Sequence, residues 1–377
     1  MQPLDFPPPF PIEEYRSRLK ALRRMMAERR VDLLIVNQFE HITYFGGYSS
    51  TGSRYHALLI PLDGEPVAIL RALDAEVFSE MSWLSNCVAF RDNEDPIKVV
   101  ADTIKAHGYG SAGVGFEFDS NYLPVTVARE LERRLPKARM IDFSYVMWEM
   151  RQAKSALELD HLQTAAQICD RAVAAAFEAA QPGVNERDVF AAMTREAWRC
   201  GADNDAVAVM SAGPRSGMLH ASLGYRALAD GDIVHVEPIP SFRGYSSRMQ
   251  RPKVIGAPTE EQLRCAETMI RIQDEQYRAM KPGVIAKDVD RIVREGMLAA
   301  GLRDSYTNIT GYSLGCVAPP RLTDFTRVFV DNSDWKLCEN QVFHMYTSAC
   351  GMAFSETIVV TPRGGVRLTK LERKLFC

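Results

Sequence analysis

The stretch 231–239 (GDIVHVEPI) places an imidazole and a carboxylate two residues apart, at His235 and Glu237. The run reads as a strand, and alternate residues of a strand share a face. His235 and Glu237 therefore look into one space while Val234 and Val236 look the other way. An imidazole beside a carboxylate is equipped to move protons. A second stretch, 340–348 (NQVFHMYTS), repeats the pattern with His344 and Tyr346 in the matching places. Between the two, 244–251 (GYSSRMQR) adds a phenol at Tyr245 and a guanidinium at Arg248. The eight cysteines (Cys87, Cys169, Cys200, Cys265, Cys316, Cys338, Cys350, Cys377) are scattered, with no C-x-x-C pair and no His-x-Cys cluster. They read as reduced core thiols rather than zinc ligands.

These stretches close two copies of one unit. QPGVNERDVFAAMTREAWRCGA (181–202) recurs as KPGVIAKDVDRIVREGMLAAGL (281–302), with Pro182, Gly183, Val184, Asp188, Val189 and Gly201 each matched by the identical residue 100 positions on. Each copy reads as a long helix, a Pro-Gly turn, a second helix and a strand-rich segment, the first long helix running over 155–180. Two such halves imply a pseudo-twofold domain. Ahead of them, 12–30 is amphipathic at helical spacing and 31–36 reads as a buried strand. Further strands are predicted at 56–62, 66–72 and 112–118, and helices around 97–107 and 125–135. This α/β block gives way to the helical repeat near residue 152.

A chain of 377 residues is long enough for two domains. The formal charge of −3, from 45 Lys and Arg against 48 Asp and Glu, offers no basic field for nucleic acid or anionic lipid. The Pro-rich opening lacks the basic-then-apolar pattern of a leader, and no run of about 18 apolar residues occurs. The expected setting is the cytoplasm and the expected partner a small molecule.

The repeated domain, the α/β block and the string GDIVHVEPIPSFRGYSSRMQR (231–251) together resemble the creatinase/aminopeptidase P/prolidase family, over essentially the whole chain. The resemblance implies an N-terminal α/β domain over 1–152 and an α+β pita-bread catalytic domain, with an internal pseudo-twofold repeat, over 153–377. Peptidase members of that family hold two metal ions on two Asp, one His and two Glu. Here the first Asp position carries Glu237, and the second, in a G-Y-x-S-D-x-x-R context, carries Arg248. The His of G-H-x-x-G falls on Tyr312 of GYSLG (311–315), and the two Glu positions fall on Tyr346 and on or beside Ser355, with Glu356 adjacent. Two divalent ions need several anionic oxygens around them, and an arginine among the ligands opposes binding. No metal and no cofactor are expected. GYSLG, and FSET (354–357) followed by RKLF (373–376), resemble the ectoine hydrolase form of these segments.

The resemblance to metal-free creatinase and ectoine hydrolase implies a hydrolase opening a non-peptide C–N bond in a small molecule, such as a cyclic amide, lactam, amidine or guanidino acid, in a catabolic pathway. His220 falls on a histidine that the peptidase and creatinase branches both retain near the reacting centre. An imidazole can take a proton from water and return it to the leaving nitrogen without help from a metal. Glu237 and Glu356 either orient that water or serve as ion-pair partners of Arg248. Arg248 either pairs with Glu237 or receives a substrate carboxylate. Tyr245, Tyr312, His344 and Tyr346 are expected around the ligand, although His235 and His344 also fit a purely structural role. The resemblance further implies a homodimer, with Arg54 reaching the partner subunit's site or standing as a solvated loop residue, and the same two readings for Arg321. An Xaa-Pro metallopeptidase with unusual ligands and a catalytically inactive binding protein of the same fold remain alternatives.

Overall fold

The computed structural model describes residues 8–49, 54–203, 207–318 and 323–377, so Arg321 lies outside the described residues. The chain divides into two compact units at Arg151 and Gln152, with Ala318 joining the first.

The first unit is built on a six-stranded sheet in the order Cys87–Phe90, Val67–Arg71, Ala57–Pro61, Leu33–Val36, Gly113–Phe116, Arg139–Asp142. Leu33 and Ile35 face one core, with Ile97, Val100 and Ile104 of the helix Pro96–Ala106. Leu34 and Val36 face a second core, with Leu19, Leu22 and Met26 of the helix Ile12–Glu28. A strand covered on both sides has no polar face, and so 33–36 is a continuous apolar run. Asp95 caps the helix Pro96–Ala106 by accepting the Ile97 N–H at 2.9 Å, with Pro96 in the first turn.

The second unit carries the repeat. Its helix pairs are Ala156–Ala179 with Glu186–Arg199, and Glu260–Ala279 with Ala286–Ala299. Both long helices open on a capping box, Ser155 with Glu158 and Thr259 with Gln262. Both Pro-Gly turns place the glycine in the left-handed region, at φ 81° for Gly183 and 86° for Gly283. Each turn is pinned from the same side: the Gly183 N–H donates to Leu228 O at 2.7 Å and the Gly283 N–H to Leu337 O at 2.8 Å. A three-stranded sheet (Arg251–Val254, Ile233–Ile239, Val207–Ala212) follows the first pair. A five-stranded one (Val328–Phe329, Gly311–Ser313, Val342–Ala349, Met352–Thr361, Gly364–Arg367) follows the second. Among the described residues no helix is long and apolar enough to cross a membrane.

Candidate functional site

Three neighbouring strands of the larger sheet set half of the site. The antiparallel register places Tyr312 opposite His344 and Tyr346 opposite Ser355. The other half comes from Glu237, on the central strand of the smaller sheet, and from the segment 247–250 that leads into Arg251–Val254. Thr357 fixes that segment: its hydroxyl accepts the Arg248 N–H and donates to the Arg248 carbonyl, each at 2.9 Å. Ser247 Oγ lies 2.8 Å from the same hydroxyl.

The side chains so placed form a closed ring of polar contacts. Arg248 Nη1 donates to Tyr312 Oη at 2.8 Å and lies 3.3 Å from Glu237 Oε1. Tyr312 Oη is 2.8 Å from His344 Nδ1, and His344 Nε2 is 2.6 Å from Ser355 Oγ. Ser355 Oγ accepts the backbone N–H of Gln250 at 2.7 Å, and Gln250 Nε2 donates to Glu237 Oε2 at 2.9 Å, which completes the circuit. All six residues are buried. Burial in turn shifts the titration of two of them, His344 and Tyr312. It lowers the pKa of His344 well below the ordinary imidazole range, helped by the Arg248 charge, so this ring is neutral. It also raises the Tyr312 phenol above its usual value against the opposing pull of Arg248, so Tyr312 keeps its proton. Tyr346 stacks on His344 with ring centroids 5.4 Å apart, receives a hydrogen bond from Asn308 Nδ2 at 3.3 Å, and is likewise pushed up by burial.

Of the residues that the sequence nominates, the structure gathers Glu237, Arg248, Tyr312, His344 and Tyr346. It does not bring Glu356 to them. Successive residues of a strand point to opposite faces, so Ser355 and Thr357 enter the site and Glu356 faces away. There it accepts from Arg251 at 2.6 Å and Arg367 at 3.3 Å, lies 3.2 Å from Arg373 Nε, and takes the Thr369 hydroxyl. Glu356 is the anion of a structural cluster, and Ser355 holds the site position beside it. Tyr245 is also committed elsewhere, its buried hydroxyl donating to Glu158 Oε1 at 2.9 Å and so tying the site segment to the cap of the first long helix. His235 is fully buried on the same strand as Glu237, with neither ring nitrogen partnered among the described residues, and burial lowers its pKa to about 4. Arg54 is exposed in the first unit, 3.7 Å from Asp92 and over the Phe90 ring.

His220 is exposed in the turn after the short helix Gly213–Arg215 and shares no hydrogen bond with the ring among the described residues. Its loop nevertheless abuts the site's scaffold. A Cβ on Gly217 would lie 3.6 Å from the Gly351 Cα, in the turn joining Val342–Ala349 to Met352–Thr361. Gln250 is a member of the ring that sequence reasoning passed over, and Ser355 was named there only as the place of a family ligand. The only signal for Gln250 was its alternation with Arg248, and Ser355 was hidden behind the more chemically conspicuous Glu356.

The donor set does not suit a pair of divalent ions. The one carboxylate of the ring, Glu237, is already held by a guanidinium and an amide, and the remaining groups are two neutral hydroxyls and a neutral imidazole. Among the described residues no three or more His, Cys, Asp or Glu converge as metal ligands would.

The chain matches metallopeptidase family M24 over residues 160–369 and the creatinase/prolidase N-terminal domain over residues 18–153. It is 29% identical over 390 residues to an uncharacterized hydrolase/peptidase, y4tL, of Sinorhizobium fredii, covering 98% of each chain. It is 26% identical to an Xaa-Pro dipeptidase of Pyrococcus furiosus, over 96% of this chain and all of the other (100%). With the ectoine hydrolase of Halomonas elongata it shares 25% identity over 98% of each. The prolidase of Thermococcus sibiricus superposes with a TM-score of 0.84 at 21% identity, covering 96% of this chain and 98% of that one. The two-unit architecture, the repeat and the family match over most of the second unit agree: the chain belongs to metallopeptidase family M24, its pita-bread domain preceded by a creatinase/prolidase N-terminal domain.

Proposed function

We propose that this chain is a metal-independent hydrolase of a non-peptide C–N bond in a small molecule that carries a carboxylate. The observation that carries the reading is the Arg248 guanidinium 3.3 Å from Glu237, a cation standing among the groups that would otherwise take a metal. In this reading Tyr312 donates to the oxygen on which charge develops, and Arg248 receives the substrate carboxylate on the side away from Glu237. Glu237 orients the attacking water. His220, exposed on the loop against the 349–352 turn, takes the water's proton and returns it to the leaving nitrogen. The ectoine hydrolase among the relatives supports this chemistry. A homodimer belongs to the same reading, and sedimentation of the purified protein tests it.

A second reading, cleavage of Xaa-Pro peptides with bound metal, is favoured by the dipeptidase relatives of comparable identity. One experiment separates the two. Protein purified without chelator is assayed for metal content and then offered a cyclic amidine, lactams, guanidino acids and Xaa-Pro dipeptides, each with and without EDTA. Turnover of a non-peptide compound that survives EDTA supports the proposal. Two metal equivalents per chain together with EDTA-sensitive Xaa-Pro cleavage overturn it.

A further inference from the structure

The hydrogen atoms of the ring can be counted, and the count fixes the direction of some contacts and leaves two choices at His344. Arg248 has only donors, so Tyr312 Oη accepts from it at 2.8 Å. The backbone N–H of Gln250 likewise makes Ser355 Oγ an acceptor at 2.7 Å. His344 lies between these two hydroxyls and, being neutral, carries one N–H and one lone pair. Two arrangements follow. With the proton on Nε2, His344 donates to Ser355, Tyr312 donates to Nδ1, and the Ser355 hydrogen has no acceptor among the described residues. With the proton on Nδ1, His344 donates to Tyr312, Ser355 donates to Nε2, and the spare hydrogen is that of Tyr312.

The two residues are not equivalent places to leave a hydrogen. Ser355 exposes none of its surface, and an unpaired hydroxyl there forfeits its hydration with no return. Tyr312 keeps 5% of its surface, and its ring lies edge-on to Phe325, itself 51% exposed, so of the two hydroxyl-bearing residues it is the one that retains contact with solvent. The Ser355 to His344 contact has the length of a nucleophile–base pair, but a side chain with no exposed surface serves the imidazole and not a substrate.

We propose that His344 and Ser355 are positioning residues that hold Tyr312 as an obligatory hydrogen-bond donor. Both acceptor sites of the Tyr312 oxygen are filled, by Arg248 and by His344 Nδ1–H, so the oxygen cannot receive an N–H from a ligand. The ligand atom at this place is therefore an acceptor, a carbonyl or carboxylate oxygen, and an ammonium or amide N–H is refused there. This deepens the hydrolase reading by fixing which end of the substrate faces Tyr312, yet it concerns the unliganded protein and stands or falls without turnover.

The test is NMR of the protein with 15N-labelled histidine, in which the two neutral tautomers give distinct nitrogen shifts. There are seven histidines, and the His344 signal is identified by its loss in His344→Gln or, should that variant not fold, by elimination through single variants of the other six. A predominant Nδ1–H tautomer, whose population falls in Ser355→Ala, is the expected result. A predominant Nε2–H tautomer, or no change in Ser355→Ala, overturns the proposal. Acetate and methylammonium then serve as probes at matched ionic strength. A shift of the His344 nitrogens with acetate and none with methylammonium supports the acceptor requirement. A shift with methylammonium, or with neither, overturns that part.

Discussion

Arg248 and Glu237 form a buried ion pair through one 3.3 Å contact, and the same guanidinium nitrogen donates to Tyr312 on its other side. A pair of this kind is costly to break from one end, because the charge left behind stays out of water. Arg248→Met is expected to lower unfolding free energy by about 3–5 kcal/mol, and the double variant Glu237→Gln/Arg248→Met to recover most of that loss. Denaturant titration of both variants decides, and equal losses would show that the pair is not coupled.

Glu237 and Glu356 are expected to separate cleanly. Glu356→Gln disturbs a cluster of three arginines and costs about 3–5 kcal/mol of stability, while the folded fraction keeps its turnover of any hydrolysed compound. Glu237→Gln also breaks a buried ion pair and so loses stability, but it differs in lowering turnover about 100-fold or more through loss of the water-orienting carboxylate. Active-site turnover normalised to folded protein distinguishes the two. A large catalytic loss in Glu356→Gln would put that residue back at the reacting centre.

His220→Ala is expected to leave thermal stability unchanged, since the side chain is exposed, and to abolish most turnover of the same compound. Unchanged kcat would remove the proton carrier from the proposed chemistry.

His235 gives the fold a pH dependence of known sign. Its folded pKa, about 4, lies below the unfolded value near 6.5. Between those values the unfolded chain binds the extra proton. The contribution of neutral His235 is thus fully present above about pH 6.5 and is lost as pH falls through about 4. The span corresponds to about 3 kcal/mol. His235→Leu should flatten the stability profile between pH 4 and 6.5 by about that amount, and an unaltered slope in urea titrations across this range would contradict it.

The pseudo-twofold turns offer a matched pair of backbone tests. A Cβ on Gly183 or Gly283 would meet no atom within 4 Å, so the only penalty for alanine is the left-handed φ. Each substitution should cost about 1–2 kcal/mol, with the two values close to each other. A large difference in denaturation midpoint would mean that the halves are not mechanically equivalent at this turn.

The repeat, the helix pairs and the principal strands were legible in the sequence because hydrophobic period and Pro-Gly punctuation are local properties. The helices Glu186–Arg199 and Ala286–Ala299 begin and end at positions that the matched segments 181–202 and 281–302 enclose. The strands Cys87–Phe90 and Arg139–Asp142 were not read, being short and only partly buried, without a continuous apolar run. Within the site, the pairing of Arg248 with Glu237 was one of the two readings open to a guanidinium that is costly to bury alone. The choice between Ser355 and Glu356 was not legible. A one-residue ambiguity in matching a motif is minor in sequence, but on a strand it selects the opposite face. The Tyr312–His344–Ser355 chain depends on cross-strand register, which no single strand encodes.

The ring is shared between the two repeats. Glu237, Arg248 and Gln250 precede the connecting segment 256–258, whereas Tyr312, His344 and Ser355 follow the helix that begins at Glu260. Neither half owns a complete set of partners, so ligand recognition reports on the assembly of the two. A chain cut within 256–258 and expressed as two fragments would have to reassociate before Tyr312 regained its guanidinium, turning the site into a sensor of its own reconstitution.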